Sequence, residues 1–132
     1  MTDYDVLVID DEPVVREAVR RVLEASGWRV ATADDATSGL CHPALAACRL
    51  VLCDIMLPDR SGIEVLHDLV RARPGLPVVL ITGYATPDLA VRASEAGAAA
   101  FLAKPFEARE LVECIRRALA GSPTKEEEAW RS

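Results

Sequence analysis

Short apolar runs alternate with amphipathic stretches along most of the chain. Five of the runs have the length and the apolar or β-branched composition of strands. They are DVLVID (5–10), WRVATA (28–33), RLVLCD (49–54), PVVLIT (77–82) and AAFLA (99–103). Three of them contain four successive apolar residues, at 6–9, 50–53 and 78–81. Because such strands have no polar face, they indicate a parallel sheet that is covered on both sides.

Helical patterns follow these runs. The first begins at Asp11, which can serve as its N-cap, carries Pro13 in its first turn and ends at Gly27. The second, over 35–47, is weaker because Pro43 interrupts it. The other three are GIEVLHDLVRAR after Ser61, a segment from Thr86 and Pro87 to Gly97, and EARELVECIRRALA (107–120).

Five strands alternating with five helices predict an α/β fold with a doubly wound parallel sheet. The 132 residues fit one domain, and 51% of them are hydrophobic while only 5% are aromatic, so aliphatic side chains must fill the core. We assign the domain to residues 1–120 and a polar tail, or the start of a linker, to residues 121–132. Trp130 in that tail either docks on the domain or belongs to the linker.

The composition narrows the classes of function. A net charge of −6 argues against broad contact with nucleic acid or with an anionic membrane surface. No apolar run approaches the ~20 residues of a membrane span, and the N-terminus lacks the features of a signal peptide, so we expect a cytoplasmic protein. The cysteines have no metal-like spacing with His42 or His67, and we expect reduced, packed thiols. They are Cys41, Cys48, Cys53 and Cys114.

Polar residues stand where the predicted strands end. Asp10 and Asp11 follow the first strand, Asp54 ends the third, Thr82 ends the fourth, and Lys104 follows the fifth. The carboxyl ends of parallel strands share one edge of the sheet, where such folds bind ligands. Three carboxylates gathered there suit a hard divalent cation such as Mg²⁺, and a carboxylate beside the cation can be a nucleophile toward phosphorus. The lysine and the threonine can then bind phosphoryl oxygens.

Each of these residues also has an ordinary explanation. Asp11 alone can be a helix N-cap, Asp54 the end of a strand before a turn, and Thr82 a strand terminus before Gly83. Lys104 alone can belong to an exposed loop. Their combination at one predicted edge is what points to a site.

Four stretches hold these residues: VLVIDDEP (6–13), LVLCDIMLPDRSGIEVL (50–66), VVLITGYA (78–85) and GAAAFLAKPF (97–106). Through them, the sequence closely resembles the receiver domain of bacterial two-component response regulators, from residue 5 to about 120. The resemblance implies a flavodoxin-like fold, with five parallel strands in the order 2-1-3-4-5 and five helices.

The resemblance also implies a chemistry for the acidic edge. Asp54 would accept a phosphoryl group and become an aspartyl-phosphate. Asp10, Asp11, Asp54 and the backbone carbonyl of Met56 would bind Mg²⁺ or Mn²⁺. Thr82 would bond the phosphoryl group after its transfer.

Two further features follow from the resemblance. Lys104 would pair with Asp54 or its phosphate, and the Lys104–Pro105 peptide bond would be cis. Phe101 occupies the aromatic switch position, and it would turn inward when Thr82 moves toward the phosphate.

This sequence departs from the family pattern at several positions. Phe101 replaces the more common Tyr, and Ala100 stands where many members carry an acidic residue used in a charged dimer face. Met56 and Tyr84 each lie two residues after a site residue and would flank the path of the hydrolytic water. We expect these two bulky side chains to slow self-dephosphorylation.

The implied function is a signalling phosphoacceptor that catalyses only its own phosphorylation and dephosphorylation. The donor would be a sensor histidine kinase, a phosphotransfer protein or a small molecule such as acetyl phosphate. Phosphorylation would switch the face formed by helix 4, strand 5 and helix 5, which is also where a homodimer would form.

The sequence is compatible with more than one function. Within the family, the chain could be a stand-alone adaptor or phosphorelay intermediate, or the receiver of a longer transcriptional regulator or hybrid kinase. A Mg²⁺-dependent aspartyl phosphatase would need an acid two residues after its nucleophile, where this chain has Met56. A flavin-binding module would need a Ser/Thr/Gly-rich phosphate loop where this chain has DDEPVV. A degenerate receiver would usually lack one of the site residues, all of which are present here.

Overall fold

A computed structural model describes residues 3–121, so the expectations for the tail and Trp130 fall outside the described residues. The strands are β1 (Val6–Ile9), β2 (Val30–Ala33), β3 (Leu50–Asp54), β4 (Val78–Thr82) and β5 (Ala100–Ala103). The α-helices are α1 (Pro13–Ala25), α2 (Ala36–Leu40), α3 (Gly62–Ala72), α4 (Pro87–Glu95) and α5 (Ala108–Ala120). A short 3₁₀ helix spans Pro43–Ala46.

The strands form one parallel sheet in the order β2-β1-β3-β4-β5, which confirms the predicted doubly wound topology. Successive strand residues point to opposite faces of the sheet. Leu7, Ile9 and Leu80 therefore pack with α2, α3 and α4, while Val8 and Ile81 pack with α1 and α5. Each fully buried aliphatic side chain of this kind contributes about 1.5–3 kcal/mol, so both faces of the sheet stabilise the fold.

Helix α1 begins one residue later than the sequence predicted. Its N-cap is Glu12, not Asp11, and Pro13 occupies the first helical position. The residue before a proline is driven toward an extended backbone, and Glu12 has φ −86° and ψ 109°. The extended backbone required of an N-cap is thus imposed on Glu12, and the predicted cap at Asp11 is wrong.

The weak helix predicted over 35–47 is two shorter elements, α2 and the 3₁₀ helix. Asp35 caps α2 by accepting a hydrogen bond from the Ser38 backbone N–H at 2.7 Å. Pro43 has no N–H to continue the helix and instead begins the 3₁₀ turn. His42 caps this turn, because its Nδ1 accepts the Ala44 N–H at 3.0 Å. One predicted helix is therefore divided by its proline.

The four cysteines form no disulfide within the described residues; Cys41 is exposed, and the other three are buried. Burial raises the pKa of the Cys53 thiol well above its ordinary value. Within residues 3–121, none of the helices has both the length and the apolar character needed to cross a membrane.

Gly62 allows α3 to begin directly against the end of β3. A Cβ atom at this position would lie 2.5 Å from the Asp54 carbonyl oxygen and 2.6 Å from the Ile55 Cα atom. Both atoms belong to the backbone and have no rotamer by which to move away. The Gly62 N–H also donates to the Ile55 carbonyl at 2.8 Å. A side chain at this position would therefore displace the segment that carries Asp54.

We predict that Gly62→Ala lowers the free energy of unfolding by about 1–3 kcal/mol, because a methyl group would overlap backbone atoms. Gly83→Ala is the matched control, since a Cβ at Gly83 meets no atom within 4 Å. The control should change stability by less than about 1 kcal/mol. Urea unfolding of both variants checks this, and equal stabilities would contradict the close approach at Gly62.

Candidate functional site

Four polar residues converge at the carboxyl edge of the sheet. Asp54 and Thr82 are the last residues of β3 and β4, while Asp10 and Lys104 come directly after β1 and β5. Backbone hydrogen bonds extend the sheet into these positions. The Asp10 N–H donates to the Ala33 carbonyl at 3.1 Å, and the Lys104 N–H donates to the Thr82 carbonyl at 2.8 Å. The convergence expected from the sequence is thus produced by the parallel register of the strands.

Asp10 is fully buried at the base of the site. Its Oδ1 accepts the Glu12 N–H at 2.9 Å, and the Arg16 guanidinium donates to the Asp10 carbonyl oxygen at 2.8 Å. Its buried Oδ2 has no hydrogen-bond partner, although Lys104 Nζ lies 3.1 Å away. Desolvation raises the pKa of Asp10, and the Glu12 N–H and Lys104 oppose this rise. The carboxylate is therefore only partly compensated.

Asp54 is held at both of its carboxylate oxygens. Its Oδ1 accepts the Met56 N–H at 2.9 Å, and its Oδ2 accepts a hydrogen bond from Lys104 Nζ at 2.7 Å. Only 2% of the residue is exposed. These bonds fix the orientation of the Asp54 carboxylate.

Lys104 is shared among three carboxylates. Besides Asp54, its Nζ lies 2.8 Å from Glu12 Oε1 and 3.1 Å from Asp10 Oδ2. Burial disfavours the ammonium, but the hydrogen bonds to Asp54 and Glu12 and the contact with Asp10 outweigh it and raise the pKa of Lys104 above its usual range. The Lys104–Pro105 peptide bond is cis. Lys104 is consequently a permanent positive charge within the acidic site.

The site holds more negative charge than Lys104 can neutralise. Asp10, Asp11, Glu12 and Asp54 each place one carboxylate oxygen within 4.8 Å of the others. Four carboxylates facing one ammonium leave a surplus that a divalent cation can compensate, and carboxylate oxygens are the ligands that Mg²⁺ and Mn²⁺ prefer. The Oδ2 of Asp10, which has an ion contact with Lys104 but no hydrogen bond, supplies an acceptor inside the cluster. These residues therefore fit a magnesium-type cation.

Thr82 ends β4 at the edge that holds the acidic cluster, and Phe101 lies in the neighbouring strand β5, three positions before Lys104. Thr82 is fully buried, and its Oγ1 accepts the Tyr84 N–H at 3.1 Å. Phe101 is 1% exposed and pairs with Leu80 in the sheet. The aromatic ring is therefore buried in this structure, whereas the resemblance implied that it turns inward when Thr82 moves toward a phosphate. Its part in switching stays a prediction.

Met56 and Tyr84 stand in the loops that follow β3 and β4. Their exposed fractions are 57% and 73%. The Met56 and Tyr84 side chains therefore lie at the solvent-exposed surface of the site, each two residues after Asp54 or Thr82. Their effect on hydrolysis, like the metal contact of the Met56 carbonyl, stays a prediction.

An apolar groove of about 720 Å³ lies between α1 and α5 and opens beside Lys104. Its apolar lining includes Val14, Val15, Ala18, Phe106 and Leu111. Val14 is 82% exposed, although valine is an apolar residue. The groove therefore places an exposed apolar surface next to the acidic cluster.

The sequence did not reveal two of the contacts that organise the site. Glu12 had no predicted role, and its contact with Lys104 joins residues 92 positions apart. Arg16 had no predicted role either. The run of acids at 10–12 could have signalled the role of Glu12, whereas no local pattern marks an arginine that bonds a backbone carbonyl.

A family model described as the response regulator receiver domain matches residues 6–116. Similar proteins include the probable transcriptional regulatory protein TcrX of Mycobacterium tuberculosis, with 40% identity over 86% of this chain and 49% of TcrX. The transcriptional regulatory protein FixJ of Rhizobium meliloti is 36% identical over 89% of this chain and 58% of FixJ. The chain thus spans about half the length of these curated relatives.

Solved structures give the same result. The receiver domain of NtrX from Brucella abortus matches with a TM-score of 0.83 and 39% identity, over 89% of this chain and all of that one. A CheY-like receiver domain protein from Methanospirillum hungatei matches with a TM-score of 0.82 and 32% identity, over 97% of this chain and 98% of that one. Sequence, topology and structural similarity agree, and the chain belongs to the response regulator receiver domain family.

Proposed function

We propose that this receiver domain is an active phosphoacceptor and that Asp54 is its nucleophile. Receiver domains act in signalling and bind Mg²⁺ at an acidic pocket. The observation that supports an active site here is the 2.7 Å contact between Asp54 and Lys104 inside a cluster of four carboxylates. Asp10, Asp11, Asp54 and the Met56 carbonyl would hold Mg²⁺ or Mn²⁺.

The proposed reaction transfers a phosphoryl group from phosphohistidine. An oxygen of the Asp54 carboxylate attacks phosphorus while the bond between phosphorus and the imidazole nitrogen breaks. The electron pair of that bond leaves with the imidazole, which then takes up a proton. A bound divalent cation would neutralise charge on the phosphoryl oxygens. Because Met56 and Lys104 already fix the carboxylate, little reorientation of Asp54 is needed.

Lys104 and Thr82 would then hold the product. The Lys104 ammonium contacts both Glu12 and Asp54, so it already lies next to the carboxylate that would carry the phosphoryl group. It can exchange its contact with Glu12 for one with a phosphoryl oxygen. The Thr82 hydroxyl, whose oxygen accepts the Tyr84 N–H, can donate a hydrogen bond to another phosphoryl oxygen. Both interactions strengthen when negative charge is added to Asp54.

We infer that the output face is formed by α4, β5 and α5. Thr82 ends β4, which pairs with β5, and Phe101 is a buried residue of β5. A movement of Thr82 at the site can therefore be transmitted to this face through adjacent residues. Ala100 is buried and gives the face no charge, whereas Val91 of α4 is 45% exposed. A homodimer through this face would therefore lack the acidic residue that many family members carry at position 100, and its charges would come from exposed residues of α4 such as Asp88, Arg92 and Glu95.

Receiver domains interact with histidine kinases or phosphotransfer proteins, and we propose that such a donor docks in the groove between α1 and α5. The groove is apolar, and it opens beside Lys104, where a phosphohistidine must be delivered. Covering an exposed apolar side chain such as Val14 with a partner would contribute favourable binding free energy.

The relatives named above are longer regulatory proteins, so we favour a receiver that works within a longer regulator over a stand-alone adaptor. The remote alternative, an aspartyl phosphatase, is disfavoured because the residue two positions after Asp54 is Met56, which cannot act as a general acid.

We predict that acetyl phosphate adds one phosphoryl group to the protein in the presence of Mg²⁺ and none in the presence of a chelator. Asp54→Asn removes the nucleophile and should abolish the addition. Asp88→Asn makes the same change in the first turn of α4 and should behave as wild type. Intact-protein mass spectrometry measures this, and phosphorylation of Asp54→Asn would contradict the assignment.

We predict that Val14→Gln slows phosphotransfer from a protein donor by about fivefold or more, because a polar group replaces apolar contact area. The rate with acetyl phosphate should stay unchanged, since this donor does not fill the groove. Val91→Gln alters an exposed valine on α4 and is the control. The measurement uses a phosphorylated kinase or phosphotransfer domain that is active on wild type. Equal slowing with both donors would exclude docking as the cause.

A further inference from the structure

The loop between β3 and α3 is tied to α2 through Asp59. The Asp59 Oδ1 accepts the Ala36 N–H at 2.9 Å. Its Oδ2 accepts the Thr37 N–H at 3.0 Å and the Thr37 hydroxyl at 2.8 Å. The bond from the Ala36 N–H and those from Thr37 lower the pKa of Asp59 to about 2. A single exposed carboxylate thus makes three hydrogen bonds to a segment 22 or 23 residues earlier in the chain.

Asp59 and Asp35 both cap α2, but only Asp59 connects this helix to the site. Asp35 precedes the helix directly and accepts the Ser38 N–H. The remaining first-turn donors, at Ala36 and Thr37, are taken by Asp59. The two aspartates are therefore similar in their effect on the helix and different in what they join.

The β3–α3 loop is the segment that carries Met56, whose backbone carbonyl is proposed as a ligand. The base of the loop closes on itself through the Gly62 N–H and a bridge between Met56 and Ser61. Its tip is anchored twice, because the Arg60 guanidinium contacts Asp68 of α3 at 2.7 Å while Asp59 bonds α2. Without Asp59, the tip would keep the Arg60 contact with α3 and lose the three hydrogen bonds to α2.

We infer that Asp59 is a positioning residue for the divalent cation site. By joining the loop to α2, it holds the Met56 carbonyl in place before a cation arrives. A ligand that is already ordered loses less conformational entropy on binding than one that must be ordered. This inference rests on the proposed function, because it concerns the same cation.

The test compares the Mg²⁺ affinity of wild type, Asp59→Ala and Asp35→Ala by isothermal titration calorimetry. Both variants lose an α2 cap, so both should be less stable to urea. Asp59→Ala should also bind Mg²⁺ about threefold to tenfold more weakly, as expected when a group that orients a ligand is removed. Asp35→Ala should bind it with the affinity of wild type. Asp59→Asn, which retains one carbonyl oxygen, should fall between wild type and Asp59→Ala.

The outcomes separate this inference from the function on which it rests. If wild type binds Mg²⁺ and Asp59→Ala binds it equally well, the positioning role is wrong while the metal site stands. If Asp35→Ala is weakened as much as Asp59→Ala, the integrity of α2 is responsible, and the specific role of Asp59 is wrong. If wild type binds no Mg²⁺, both the proposed function and this inference fail. If Asp59→Ala does not fold, the Mg²⁺ affinity of Asp59→Asn is compared with that of wild type. Weaker binding by Asp59→Asn supports the positioning role, and equal binding contradicts it.

Discussion

The site is organised by one ammonium that is shared among several carboxylates. Lys104 lies within 3.1 Å of Asp10, Glu12 and Asp54, and Asp11 belongs to the same cluster. One ammonium contacts three of these acids without neutralising them all. Burial raises the pKa of Asp10, and the Glu12 N–H and Lys104 oppose this rise only in part. The same imbalance favours a divalent cation and leaves a lysine ready to bind a phosphoryl oxygen. The surplus of negative charge is therefore a cost to the fold and the basis of the chemistry.

The parallel sheet makes this arrangement possible. Each strand delivers its last residue, or the one after it, to one edge, and the helices on both faces bury the strands, so Asp10 and Asp54 are removed from solvent. Gly62 and Asp59 then control the segment after β3. Gly62 permits the close approach of α3, and Asp59 joins the loop to α2. The position of Asp54 thus depends on backbone packing as well as on its own contacts.

Much of the fold was predictable because its signals are local. The apolar runs at 6–9, 50–53 and 78–81 lie within strands, and the proline and glycine positions mark most helix ends. The predictions from local sequence were wrong where a proline overrode the pattern of the neighbouring residues. Pro43 divided a predicted helix, and Pro13 made Glu12 the cap in place of Asp11. The contacts of Lys104 and Asp59 join residues that are distant in the chain, and local patterns do not reveal such contacts. The resemblance indicated that Lys104 pairs with Asp54, whereas nothing in the sequence indicated that Asp59 bonds α2.

The most direct test of the charge imbalance is the free energy of unfolding of wild type and Asp11→Asn, each measured in a chelator and in excess Mg²⁺. Asp11 lies in the acidic cluster and is exposed, so the substitution removes one negative charge without opening a cavity. We expect Asp11→Asn to be more stable than wild type in the chelator, by ~1 kcal/mol, because repulsion is relieved. We also expect Mg²⁺ to stabilise the variant less than it stabilises wild type. A variant that is less stable in the chelator, or that gains as much stability from Mg²⁺ as wild type does, would contradict the charge imbalance.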